Sequence, residues 1–141
     1  MFYPRAAYES LRRELHTSKI LILMGSRRVG KTTLLRMLEA EVNKSNIPTL
    51  FIDLDRELQL ERLASLEDFL SFLGTEGIDP EKKAVIFIDE FQHARKSAKI
   101  FKNIADHFPH LKIIASGSSS LDIKTLLPES LAGRKRVVHI Y

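Results

Sequence analysis

The sequence predicts an α/β protein of three layers, with five parallel strands between two layers of helices. Three observations carry that expectation. Short apolar runs rich in β-branched residues alternate along the chain with stretches whose apolar residues recur at helical spacing. The runs are continuously apolar, as strands covered on both faces must be. The residues with chemistry to offer fall just after the first, third and fourth runs, at the carboxyl edge where ligands bind in such sheets. Right-handed crossovers then place helices on both faces.

Each element has its own signal. Arg5–His16 reads as a helix with Tyr8, Leu11 and Leu15 on one side. Lys19–Met24 is the first strand, ended by Gly25, and Thr32–Asn43 the next helix, with Leu34, Leu35, Leu38 and Val42 as its apolar stripe. Pro48–Leu54 is the second strand. Ser65 is an N-cap followed by Glu67 and Asp68, which suit the positive end of a helix dipole, and that helix is expected to stop at Gly74. Ala84–Ile88 is the third strand, leading into Asp89 and Glu90. The helix after it carries Phe91, Ala94, Ala98, Phe101, Ile104, Ala105 and Phe108 on one face and Arg95, Lys96, Lys99 and Lys102 on the other. Leu111–Ser116 and Arg136–Tyr141 are the fourth and fifth strands.

Composition narrows the functional classes. The 141 residues, 44% hydrophobic and 28% charged, suit one domain with its own core. Without cysteine there is no disulfide framework, thiolate metal cage or cysteine nucleophile. The longest apolar runs are far below the roughly 20 residues that cross a bilayer, and no secretory leader opens the chain; a cytoplasmic protein without a membrane partner is expected. The net charge of +4 hides three blocks: residues 1–46 hold nine basic and four acidic side chains, residues 47–90 four and eleven, residues 91–141 nine and three. Such blocks suit a nucleic-acid face or cations around a polyphosphate. The basic helix from Phe91 lacks interleaved aromatics, so a solvated face is the better reading and nucleic acid stays an open partner. The five histidines have no metal-ligand spacing.

Gly25-Ser26-Arg27-Arg28-Val29-Gly30-Lys31-Thr32 lies between an apolar strand and a helix and satisfies G-x-x-x-x-G-K-[ST]. The two glycines let the backbone curl with its N–H groups inward, making an anion nest, and the helix beginning at Lys31 directs its dipole there. Lys31 supplies a cation for the β and γ phosphates and Thr32 a hydroxyl ligand for Mg²⁺; Thr33 closes the phosphate-binding segment. Asp89-Glu90 either caps the following helix or, after such a loop, forms a Walker B pair. In the second reading Asp89 holds Mg²⁺ and Glu90 is the general base for water. Ser118, ahead of Ser116, is the candidate for touching the γ-phosphate or the attacking water. Arg134 is either a phosphate-sensing arginine or a surface charge. Asp53 and Asp55 read as a solvated strand end. Asn43-Lys44 lacks the aspartate of a guanine-reading motif and no Asp-x-x-Gly follows the third strand, so ATP is the expected nucleotide.

These residues together resemble a family. Arg5, the loop from Gly25 through Leu35, Ile52–Asp55, Phe87–Gln92, Ser116–Ser119 and Ser130–Arg134 are similar to the predicted AAA+ ATPases of bacteria and archaea, whose ATPase domain precedes a C-terminal domain of unknown function. The resemblance covers nearly the whole chain. It implies a P-loop NTPase core of the additional-strand (ASCE) type with sheet order 5-1-4-3-2, and residues 1–141 as that core. It also implies a lid and a C-terminal domain beyond Tyr141, and leaves open whether Arg134 acts within its own subunit or on a neighbour in a homo-oligomer. The expected activity is Mg²⁺-dependent ATP hydrolysis. A nucleotide-gated switch that exchanges ATP and ADP with little turnover is the alternative, and a small-molecule kinase a weaker third.

Overall fold

The computed structural model describes residues 5–14, 20–25, 30–55, 63–91, 98–117 and 135–139. Helix α1 spans Arg5–Glu14, strand β1 Ile20–Met24, helix α2 Lys31–Lys44, strand β2 Thr49–Asp53 and helix α3 Leu66–Thr75. Strand β3 spans Ala84–Asp89, helix α4 Ala98–His107, strand β4 Leu111–Gly117 and strand β5 Lys135–His139. All four strand pairings are parallel and the order is β2-β3-β4-β1-β5, the expected arrangement.

Continuous apolar runs work here because each strand feeds two cores. From β1, Ile20, Ile22 and Met24 join Ile86 and Ile88 of β3, Ile113 and Ala115 of β4, Phe69, Phe72 and Leu73 of α3, and Phe101 and Ile104 of α4. The alternate residues Leu21 and Leu23, with Val85, Phe87 and Ile114, pack on the other face against Leu11 of α1 and Leu34, Leu35, Leu38 and Val42 of α2. Fully burying one such side chain contributes about 1.5–3 kcal/mol. Phe91 meets Phe101 edge to face at 4.9 Å, closing the first core beneath the end of β3. At the β2 edge the Arg36 guanidinium sits 3.5 Å from the Phe51 ring centroid, and Phe51 stacks on Phe87.

The ends of α3 follow local rules. Ser65 Oγ accepts from the Asp68 N–H at 3.0 Å, the expected N-cap. The helix does not stop at Gly74 but runs to Thr75. Gly77 takes the left-handed conformation, and Ile78 N–H donates to Leu73 O at 2.8 Å while Gly77 N–H donates to Gly74 O at 3.1 Å. That pattern needs its left-handed residue two positions past the last helical one, so Gly77 is the cap and Gly74 a helical residue. Of the helix expected from Phe91, the described part is Phe91 and α4; residues 92–97 lie outside the described residues, as do Leu15, His16, Lys19, Ile140 and Tyr141.

Candidate functional site

Strand order sets the site. Because β4 inserts between β1 and β3, the carboxyl ends of these three strands lie side by side, and α2 begins where β1 ends. Gly30 is the N-cap of α2 at φ +80°, a left-handed conformation that an L side chain resists. No side chain caps this terminus; the first helical bond runs from Leu34 N–H to Gly30 O at 3.0 Å. The amides of the first turn have a dipole behind them and suit an anion.

Lys31, only 3% exposed, carries its ammonium back over the strand ends. Nζ donates to Gly25 O at 2.6 Å and to Gly117 O at 2.8 Å. Gly117 O also accepts the Gly25 N–H at 3.3 Å, so the lysine ties the ends of β1 and β4 together. A buried ammonium needs such acceptors to offset lost hydration.

The Thr32 Oγ1 hydroxyl donates to Asp89 Oδ2 at 2.7 Å, joining the loop to the end of β3 across 57 residues of sequence. Asp89, 6% exposed, is held from both oxygens: its Oδ1 accepts from the Ser116 hydroxyl and from the Glu90 N–H, the latter at 3.1 Å. Ser116, completely buried, also accepts the Glu90 N–H at 3.3 Å. Glu90 is half-buried, with its backbone at φ +59°. For a residue with a Cβ that conformation costs about 1–2 kcal/mol, and strain of this kind gathers at functional sites.

Of the residues singled out from sequence, Gly25, Gly30, Lys31, Thr32, Asp89 and Glu90 come together here. Thr33 is exposed in the first turn of α2. Ser26, Arg27, Arg28, Val29, Ser118 and Arg134 lie outside the described residues. Asp53 pairs in register with Asp89, and its Oδ1 accepts the Asp55 N–H at 3.0 Å in a tight turn, so both acids end β2 as expected. Sequence reasoning ranked Ser116 below Ser118 and saw a nucleotide contact in either; it missed the bonding of Ser116 to the acidic pair. Strand alternation carried the signal. Leu23 pairs with Ser116, and Ile88 with Ala115, so Ser116 falls beside Asp89 on the α2 face.

A parallel sheet in this order, with a glycine-capped helix, a lysine over the strand ends and a threonine–aspartate bridge, defines an α/β P-loop NTPase of the AAA+ kind. The chain belongs to the AAA domain family, whose family model matches residues 17–141. Two curated relatives, the uncharacterized protein Rv2008c of Mycobacterium tuberculosis and the uncharacterized protein Mb2031c of Mycobacterium bovis, are each 33% identical over 147 residues. The alignment covers 96% of this chain and 28% of each relative, so the chain spans little more than a quarter of their length. Among solved structures the fold is shared with the Walker-type ATPase PABY2304 of Pyrococcus abyssi. There the TM-score is 0.61 at 21% identity, covering 100% of this chain and 54% of the other. It is also shared with AMPPCP-bound DnaA from Aquifex aeolicus (TM-score 0.60, 19% identity, 96% and 46% covered). A structure of DnaA bound to AMPPCP and single-stranded DNA gives a TM-score of 0.66 at 20% identity, with 96% and 46% covered. No helix among the described residues is long and apolar enough to cross a membrane.

Proposed function

We propose that residues 1–141 form an ATPase core that binds ATP with Mg²⁺ and hydrolyses it. The observation that carries this reading is the 2.7 Å bond from Thr32 to Asp89, which brings the phosphate loop and the acidic strand end to one point beside Lys31. The AMPPCP of the DnaA structures supports an adenine nucleotide.

The donor set suits Mg²⁺. Thr32 and Asp89 offer hard oxygen atoms, and the described residues contain no group of three or more His, Cys, Asp or Glu that would cage a metal. Mg²⁺ keeps most of its waters and takes few protein ligands. Thr32 gives its proton to Asp89 and keeps its oxygen lone pairs for the ion. When bound, the ion neutralises charge on the phosphate oxygens. The protein's own groups do the rest. The loop amides and Lys31 hold the β and γ phosphates, so the lysine exchanges a carbonyl partner for a phosphate oxygen. Glu90 orients a water and accepts its proton as the water oxygen bonds to the γ-phosphorus. The bond to the bridging oxygen breaks, ADP leaves, and the proton passes to inorganic phosphate. Ser118, from its place after the fourth strand in the sequence, and Arg134, as a phosphate-sensing arginine, are the candidates for the γ-phosphate.

Calorimetry with Mg-ATP and phosphate-release assays on the full-length protein test this. Lys31→Ala is expected to weaken nucleotide binding at least tenfold, as loss of a charge-assisted hydrogen bond does. Glu90→Gln is expected to keep binding and lower turnover about a hundredfold, the lower range for loss of a general base. Absence of nucleotide binding, or binding indifferent to Lys31→Ala, overturns the reading. Tight binding without turnover in the unaltered protein selects the nucleotide-gated switch.

A further inference from the structure

The acidic strand end is held from the side by a residue of another strand. Ser116 is completely buried in β4, out of reach of bulk water, and its hydroxyl is used twice. It donates to Asp89 Oδ1, and it accepts the Glu90 N–H at 3.3 Å, sharing that proton with Asp89 Oδ1 at 3.1 Å. The left-handed backbone of Glu90, at φ +59°, is thus pinned by two oxygens on its own amide. Every buried side-chain nitrogen and oxygen among the described residues has a hydrogen-bond partner, so the serine is part of a closed network.

From this geometry we infer that Ser116 is a positioning residue for hydrolysis: it fixes the Asp89 carboxylate and the backbone turn that presents Glu90, and does not itself touch the nucleotide. The inference rests on the proposed role of Glu90 and assigns Ser116 a different task from a phosphate contact. A contact with the γ-phosphate would require the hydroxyl proton, which is given to Asp89. Ser116 lies on the α2 face of the sheet in register with Leu23, fully buried, and its action reaches the reaction only through the acidic pair.

The experiment is a double-mutant cycle between Ser116→Ala and Glu90→Gln in the full-length protein, read by Mg-ATP affinity and by turnover. Ser116→Ala is expected to leave affinity within about twofold and lower kcat about tenfold, the effect of about one lost positioning hydrogen bond. Ser116→Thr, which keeps the hydroxyl, restores most of that rate. In the Glu90→Gln background Ser116→Ala costs nothing further, because the group it positions is gone. Equal losses in both backgrounds, weaker nucleotide binding, or unchanged kcat each overturn the inference. If Glu90→Gln alone leaves turnover intact, the role of Glu90 fails first and the inference falls with it. Hydrogen exchange at the Glu90 amide provides a readout apart from activity and from the folding of any variant. Strong protection is expected in the unaltered protein, and exchange at the free-peptide rate overturns the proposal.

Discussion

Gly30 and Gly77 both hold left-handed backbone, at φ +80° and +79°, yet they answer to different demands. Gly77 closes α3 far from the strand ends, and a Cβ there would meet nothing within 4 Å. Gly30 caps α2 at the phosphate loop. Ala at either position is expected to cost about 1–2 kcal/mol, the penalty of a Cβ in that region. Urea denaturation of Gly30→Ala and Gly77→Ala should therefore give similar losses of stability. Only Gly30→Ala should weaken Mg-ATP binding, measured calorimetrically. Equal affinity in both variants would detach the loop from the nucleotide. At this scale the sequence was legible wherever a motif names its residue type: Gly25, Gly30, Lys31, Thr32 and Asp89 all converge as the pattern implied. It marked Ser116 as a hydroxyl at the site but not its bond to Asp89, because a hydroxyl inside a strand says nothing of which carboxylate lies beside it until register is known. The left-handed turn at Glu90 was also hidden, since it depends on bonds from β4.

Among the elements, strands and helices were readable because each has one dominant period. The stripe Leu34, Leu35, Leu38 and Val42 is buried as the helical spacing required, and the strand runs differ from the structure by a residue or two at their ends. The end of α3 was misread because a glycine inside a helix and a glycine after it look alike in sequence; only the bonds of the last turn separate Gly74 from Gly77. Helices α3 and α4 together offer a comparison of local and tertiary terms. Ser65→Ala removes the acceptor for Asp68 N–H and should cost about 1 kcal/mol. Phe101→Ala, at a fully buried position of α4 in contact with Phe91, should cost about 3–5 kcal/mol because it leaves a cavity under β3. Chemical denaturation measures both. If the cap outweighed the phenylalanine, packing of the helix layer would not be the main source of stability.

For the whole molecule, sheet order converts charge along the chain into charge across the fold. The acidic block of residues 47–90 supplies β2, α3 and β3 at one edge, and the basic blocks supply β4, β1 and β5 at the other. The candidate site falls at the seam; in the proposed function a polyphosphate there would meet cations on one side and a divalent ion carboxylates on the other. The ends of the two central strands are linked there through Lys31, at Gly25 O and Gly117 O, so a ligand on that lysine engages the centre of the sheet and not a peripheral loop. Nucleotide that binds only the folded chain stabilises it by mass action, about 2.7 kcal/mol at a hundredfold excess over Kd. In a domain of this size each kcal/mol raises Tm by roughly 3–5 °C, so saturating Mg-ATP should raise the melting temperature by about 8–13 °C. Lys31→Ala should abolish most of that increase, while Glu90→Gln should preserve it, because the role proposed for the glutamate is on water, after the phosphates are held. A melting temperature that rises equally in all three proteins would place the nucleotide somewhere other than the ends of β1, β3 and β4.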